Sequence, residues 1–207
     1  MFRSLTSLSA IAVMALAAPV LAQDSTTDET APAEDAAPAE TADAQLDLGQ
    51  PVGDEPQLGQ RYSKEKFGDW DLACIKTEAE TDPCSLLQIL TDEAGNAVSE
   101  VSMFRIDNGG KAVAGATVVV PLETLLPGQL TIAVDGAPGK RYNYAFCNPM
   151  GCIAQIGLTA EDVEAFKKGN AATVSLVPAP APDQRVTLNM SLNGFTAGFA
   201  AVDVVKQ

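Results

Sequence analysis

Two cysteines place the tightest constraint on this chain. Cys147 and Cys152 bracket Asn148-Pro149-Met150-Gly151. Asn, Pro and Gly each favour a bend for a separate reason: side-chain bonding to the local main chain, a fixed φ, and access to positive φ. Before the bend, Tyr142, Tyr144 and Phe146 recur with a period of two, and after it so do Ile153, Gln155 and Gly157. That alternation predicts a half-buried strand on each side. A chain that reverses so tightly between two strands builds a hairpin, and its cysteines come within bonding distance.

The next residues predict one helix, over about 159–168. Thr159 is the N-cap, and Asp162, three residues on, gives a weaker form of the capping box. Glu161, Asp162 and Glu164 sit near the positive end of the helix dipole, Lys167 and Lys168 lie in the last turn, and Gly169 or Asn170 ends it. Leu158, Val163 and Phe166 make a single apolar stripe. A helix this short needs a sheet to hold it.

The N-terminus predicts export. Arg3 supplies a positive start, Leu8 to Ala18 an apolar run, and Val20-Leu21-Ala22 a small-residue cleavage site, so residues 1–22 read as a signal peptide. The run is too short for a comfortable membrane span, so no span is expected after cleavage. Cleavage would leave Gln23 first, which is not the cysteine a lipid anchor requires. The expected location is the periplasm or the exterior. Residues 23–60 carry ten acidic residues, no Lys or Arg and no aromatic side chain. Such a segment buries too little surface to offset its ordering entropy and reads as a disordered acidic linker. It holds most of the net charge of −14. The remainder, 61–207, is mildly acidic and has no basic stripe to meet phosphates, which argues against nucleic-acid binding.

Four cysteines in an exported chain allow three disulfide connectivities. Cys74 and Cys84 flank a polar, Pro-containing loop, and Cys147 and Cys152 flank the tight turn. The expected pairs are therefore Cys74–Cys84 and Cys147–Cys152, both local staples. The competing reading is a redox pair. Against it, CNPMGC has four residues between its cysteines where a thioredoxin-type site has two, and no βαβ pattern surrounds it.

From Arg61 onward the pattern is of short strands separated by turns. Phe67 to Cys74 is expected as the first strand, with Trp70, the only tryptophan, as a core anchor. Cys84 to Leu90, Ala97 to Ile106, Ala112 to Val120, Gln129 to Asp135, Ala171 to Val177 and Arg185 to Leu192 follow. Leu122 to Gly128 reads as a loop or single helical turn, and Pro178 to Pro182 as a stiff extended connector. Gly194 to Val205 fits either a bent strand or a short helix. Strands at roughly 8–12-residue spacing with one helix predict a mainly β fold, an antiparallel β-sandwich or barrel-like domain.

Four stretches together resemble a known family: FGDWDLAC (Phe67 to Cys74), VPLETLLPGQLTIAVD (Val120 to Asp135), CNPMGCIAQIGL (Cys147 to Leu158) and SLNGFTAGFAAV (Ser191 to Val202). Their order and spacing, with the signal peptide and all four cysteines, resemble the invasion-associated locus B family of exported alphaproteobacterial proteins. The resemblance spans Arg61 to Val205 and leaves out the acidic linker. It implies a periplasmic or secreted β-rich protein. Some members in pathogens are associated with entry into host cells such as erythrocytes. It carries over no catalytic or ligand residue.

The chain has no histidine. That removes Ser-His-Asp and Cys-His catalysis and His-ligated zinc. No Gly-rich phosphate loop and no EF-hand-type loop is present, so neither a cofactor nor a metal is expected. Glu161, Asp162 and Glu164 read as dipole-complementing surface charges, and Asp69 and Asp71 as solvent-facing. Two readings follow. One is a non-catalytic envelope or secreted module that presents a sandwich face, or the turn Asn148, Pro149, Met150 and Gly151, to an unidentified envelope or extracellular protein. The other is a periplasmic enzyme, either a carboxylate hydrolase or a thiol oxidoreductase. The first is the stronger, because no catalytic constellation is visible.

Overall fold

Residues 55–107 and 109–206 are described by a computed structural model. The expected signal peptide and nearly all of the expected acidic linker lie outside the described residues. The linker's last residues are described: Gly59 N–H donates to Lys76 O at 2.8 Å, and Gln60 N–H to Gln57 O at 2.9 Å.

The first expected strand is two strands. β1 (Arg61–Phe67) and β2 (Trp70–Ile75) form an antiparallel pair in which Phe67 faces Trp70. Gly68 and Asp69 make the turn. Gly68 has φ +57°, and a Cβ there would meet the main chain of Asn193, so only glycine fits. The alternation through Phe67 to Cys74 concealed this turn because it persists across it.

β3 (Cys84–Thr91), β4 (Ala97–Asp107) and β5 (Ala112–Val120) continue the meander. The β3–β4 turn is held by Asp92, whose Oδ1 accepts from the N–H groups of Ala94 and Asn96. After a 3₁₀ turn at Leu126–Gly128 come β6 (Leu130–Val134) and β7 (Lys140–Tyr142). β8 (Phe146–Asn148) and β9 (Gly151–Thr159) form the hairpin around the cysteine-bounded turn. α1 (Ala160–Lys168) follows, then β10 (Ala171–Leu176), β11 (Val186–Ser191), α2 (Phe195–Ala201) and β12 (Val204–Lys206).

Two open sheets result. The larger runs β1-β2-β3-β4-β5-β9-β8, with β12 parallel to the end of β4. The smaller runs β11-β10-β6-β7. Every other pairing is antiparallel. The fold is a β-sandwich; it does not close into a barrel. The expected strand through Tyr142 and Phe146 is divided between the sheets: Tyr142 pairs with Leu130 in the smaller, Phe146 with Ile153 in the larger.

The core lies between the sheets. Leu72, Leu86, Val101, Met103 and Val118 from the larger sheet meet Leu130, Val174, Leu188 and Met190 from the smaller. Trp70 is fully buried. Burying an indole of that size contributes roughly 4–6 kcal/mol at most, relative to an extended chain. Phe195 joins the helices to this core: its ring lies 5.5 Å from Trp70, 5.6 Å from Phe166 of α1 and 5.4 Å from Phe199. The ambiguous segment after Gly194 is thus a helix followed by a short strand, since spacing Phe195 and Phe199 four apart puts both on one helical face. The expectation of one helix is corrected to two. α1 has the expected cap. Thr159 Oγ1 accepts from Asp162 N–H at 3.3 Å, and Asp162 Oδ2 accepts from Thr159 N–H at 3.0 Å, which completes a capping box.

Candidate functional site

The turn Asn148, Pro149, Met150 and Gly151 closes the β8–β9 hairpin with Pro149 and Met150 at its tip. Asn148 Oδ1 accepts from Met150 N–H at 2.9 Å, the local side-chain bond expected of an asparagine in a turn. Gly151 has φ +151°, and a Cβ there would collide with Val120 O, so the hairpin lies against β5 only because this residue is glycine. Met150 is 78% exposed. Cys147 and Cys152 are directly opposed, with Cα atoms 4.0 Å apart, and are joined by a disulfide. Cys74 and Cys84 are joined in the same way across β2 and β3. Both expected pairs are therefore present, and no described cysteine is free. Cys74 and Cys152 are buried.

The turn stands at one end of an apolar row on the outer face of the larger sheet. Pairing across five strands aligns Ile89, Glu100, Val119, Ile153 and Phe146. Ile89 is 44% exposed and Phe146 50%. A groove of about 480 Å³ runs along this face, lined by Ile89, Val98, Val119, Pro121 and Met150, with Arg61 and Glu100. The one charged member of the row, Glu100, is held by a two-pronged bond from Arg61: Nη1 to Oε1 at 2.7 Å and Nη2 to Oε2 at 3.0 Å. The pair neutralises the row's charge, so the rest of the row is apolar. The sequence shows the turn but not the row, because alignment of residues spread from 89 to 153 depends on the registers of four strand pairs.

The carboxylates weighed as acid–base candidates have other work. Asp162 caps α1 and pairs with Lys140. Burial pushes its pKa up, but the bonds from Lys140 and Thr159 outweigh that and hold it below the usual carboxylate value. Glu164 is held low by its hydrogen bond from Lys167. Asp69 Oδ2 accepts from Ser191 Oγ at 2.6 Å, while Asp71 accepts from Ser63 Oγ and Lys66 Nζ. These side chains are dispersed as structural ties and do not converge on one cleft. Among the described residues, no group of three or more acidic, cysteine or histidine side chains is arranged to hold a metal ion, and no helix is long and apolar enough to cross a membrane. Tyr144 stands apart. Its hydroxyl is buried without a hydrogen-bond partner, and burial pushes its pKa up to about 12.

Comparison with known proteins agrees with this fold. A family model described as invasion associated locus B (IalB) protein matches residues 70–203. Invasion protein B homologues of Brucella abortus strain 2308 and of B. abortus biovar 1 strain 9-941 are each 25% identical over 145 residues, covering 70% of this chain and 81% of theirs. The crystal structure of invasion associated protein B from Bartonella henselae superposes with a TM-score of 0.56 at 22% identity, over 66% of this chain and 92% of that one. That likeness concerns the fold. The family match takes in Trp70, all four cysteines, the turn and both helices, and the chain belongs to the invasion associated locus B (IalB) family.

Proposed function

We propose that this chain is an exported, non-catalytic protein-interaction module of the cell envelope, and that it binds its partner through the outer face of the larger sheet beside the Cys147–Cys152 turn. The row whose exposed apolar ends are Ile89 on one side and Phe146 with Met150 on the other carries the reading. Exposed apolar side chains grouped along a groove and flanked by polar residues mark an interaction site on a folded domain. The disulfide and the Asn148 bond keep Met150 in one place, which lowers the ordering cost of binding. Export is supported by the leader sequence and by two disulfides, which persist in oxidising compartments. The Brucella relatives are named invasion protein B homologues, which fits a partner outside the cell.

The test is a photo-crosslinker placed at Met150 of the epitope-tagged exported protein, with a control at Asn189, which is exposed on the smaller sheet. The expected result is a discrete complex from position 150 and none from 189, lost on Ile89→Asp without a change in melting temperature. Recovery of monomer alone from position 150, under conditions that capture known envelope complexes, would overturn the proposal.

A further inference from the structure

The hairpin partner of β9 is much shorter than β9 itself. β8 pairs with Gly151 to Ile153 and no further. Ala145 N–H still reaches Ile153 O at 2.7 Å, and then the chain turns away toward β7 in the other sheet. In an antiparallel strand, main-chain groups of alternate residues point to the same side. The N–H and C=O of Gln155 and Gly157 therefore point as those of Ile153 do, away from β5. Among the described residues no strand pairs with them on that side. Gln155 and Gly157 are exposed, and the exposure of a glycine is exposure of main chain.

Two other edges are guarded in whole or in part. β1 carries Arg61, Lys64, Glu65 and Lys66 and a register shift between Ser63 and Glu65, which are the devices that keep an edge from pairing. The end of β11 is capped from the facing sheet: Gln88 bonds both N–H and C=O of Ser191, and Trp70 bonds the same C=O. β9 has no charged residue, no proline and no such cap along Gln155 to Leu158. Its far end opens on a groove of about 270 Å³ lined by Leu158, Tyr142 and Phe166. The corner segment that leaves β9 also holds Tyr144, whose hydroxyl has no partner.

We infer that this edge of β9 receives an extended segment of a partner protein as an added strand, paired by main-chain hydrogen bonds to Gln155 and Gly157. Only another extended backbone presents donors and acceptors in the matching alternation. A second copy of this chain fits poorly. β8 blocks the edge up to Ile153 and α1 begins at Ala160, so two β9 edges overlap only at about Gln155 to Gly157. A free segment brings no second set of obstructions, so it pairs along Gln155 to Gly157 and continues into the groove beside Leu158. The inference rests on the interaction-module reading and names the chemistry of the partner.

The experiment screens a displayed library of random linear dodecapeptides against the exported chain, then titrates one selected peptide into isotope-labelled protein and follows amide exchange. The expected result is protection concentrated at the amides of Gln155 and Gly157. Gln155→Pro, which removes an outward N–H, weakens binding about tenfold, while Gln155→Ala, which keeps it, does not. Peptides that bind but protect Ile89 and Val119 instead would overturn the edge and leave the module reading standing. Protection of the same amides by raising protein concentration without peptide would overturn the partner assignment in favour of self-pairing. No peptide binding would overturn the added-strand inference, and with crosslinks at Met150 that recover only monomer it would overturn both.

Discussion

The indole N–H of Trp70 donates to the main-chain carbonyl of Ser191 at 2.9 Å. One residue is on β2 of the larger sheet and the other ends β11 of the smaller, so a single bond ties the two layers together. Gln88 reinforces it by donating to the same carbonyl at 3.1 Å and accepting from Ser191 N–H at 2.9 Å. The tie satisfies both main-chain groups of Ser191, at the end of β11, from the other sheet.

Trp70→Phe should cost about 2 kcal/mol, from the lost hydrogen bond and the space left beside Phe195. Urea unfolding measures it. An unchanged midpoint would show that Gln88 alone carries the tie.

Tyr144→Phe should raise stability, since the lost hydroxyl is buried and unbonded. The gain is about 1 kcal/mol, the low end of the cost of an unsatisfied group. A lower melting temperature in the variant would show that the hydroxyl has a partner in solution.

Asp82 should make the loop between Cys74 and Cys84 sensitive to acid. The Thr77 N–H and then the Tyr62 hydroxyl hold its pKa down to about 2, below the ordinary 3.8. A depressed carboxylate stabilises the fold above its unfolded pKa, and that contribution is lost as pH falls through the folded value. The stability difference between wild type and Asp82→Asn should therefore be constant at neutral pH and shrink from about pH 4 toward pH 2. Melting curves across that range check it; a difference that stays constant down to pH 2 would refute the assignment.

Replacing Cys147 and Cys152 together with serine should destabilise the domain by about 2 kcal/mol, as expected for so short a closed loop. The fold should survive, because the hairpin keeps its pairing with β5. Identical thermal stability in the two proteins would show that the disulfide constrains nothing in the unfolded chain.

The parts of this protein that were legible in its sequence are those decided by near neighbours. The turn at Asn148 to Gly151 follows from residues that each prefer a bend. Thr159 and Asp162 are three apart and cap a helix through bonds within one turn. Each cysteine found the partner nearest to it because closing a short loop costs little chain entropy. The β-sandwich class followed from the spacing of strands and turns. Tertiary structure decided what distant residues do together. It sent Tyr142 and Phe146, alike in pattern, to different sheets, and it made the segment at Phe195 a helix so that its ring could fill the space between Trp70 and Phe166. It also aligned Ile89 with Phe146 and left Gln155 and Gly157 at an open edge. Strand register and sheet membership are set by burial summed over the whole core, and that sum has no local signature in the chain.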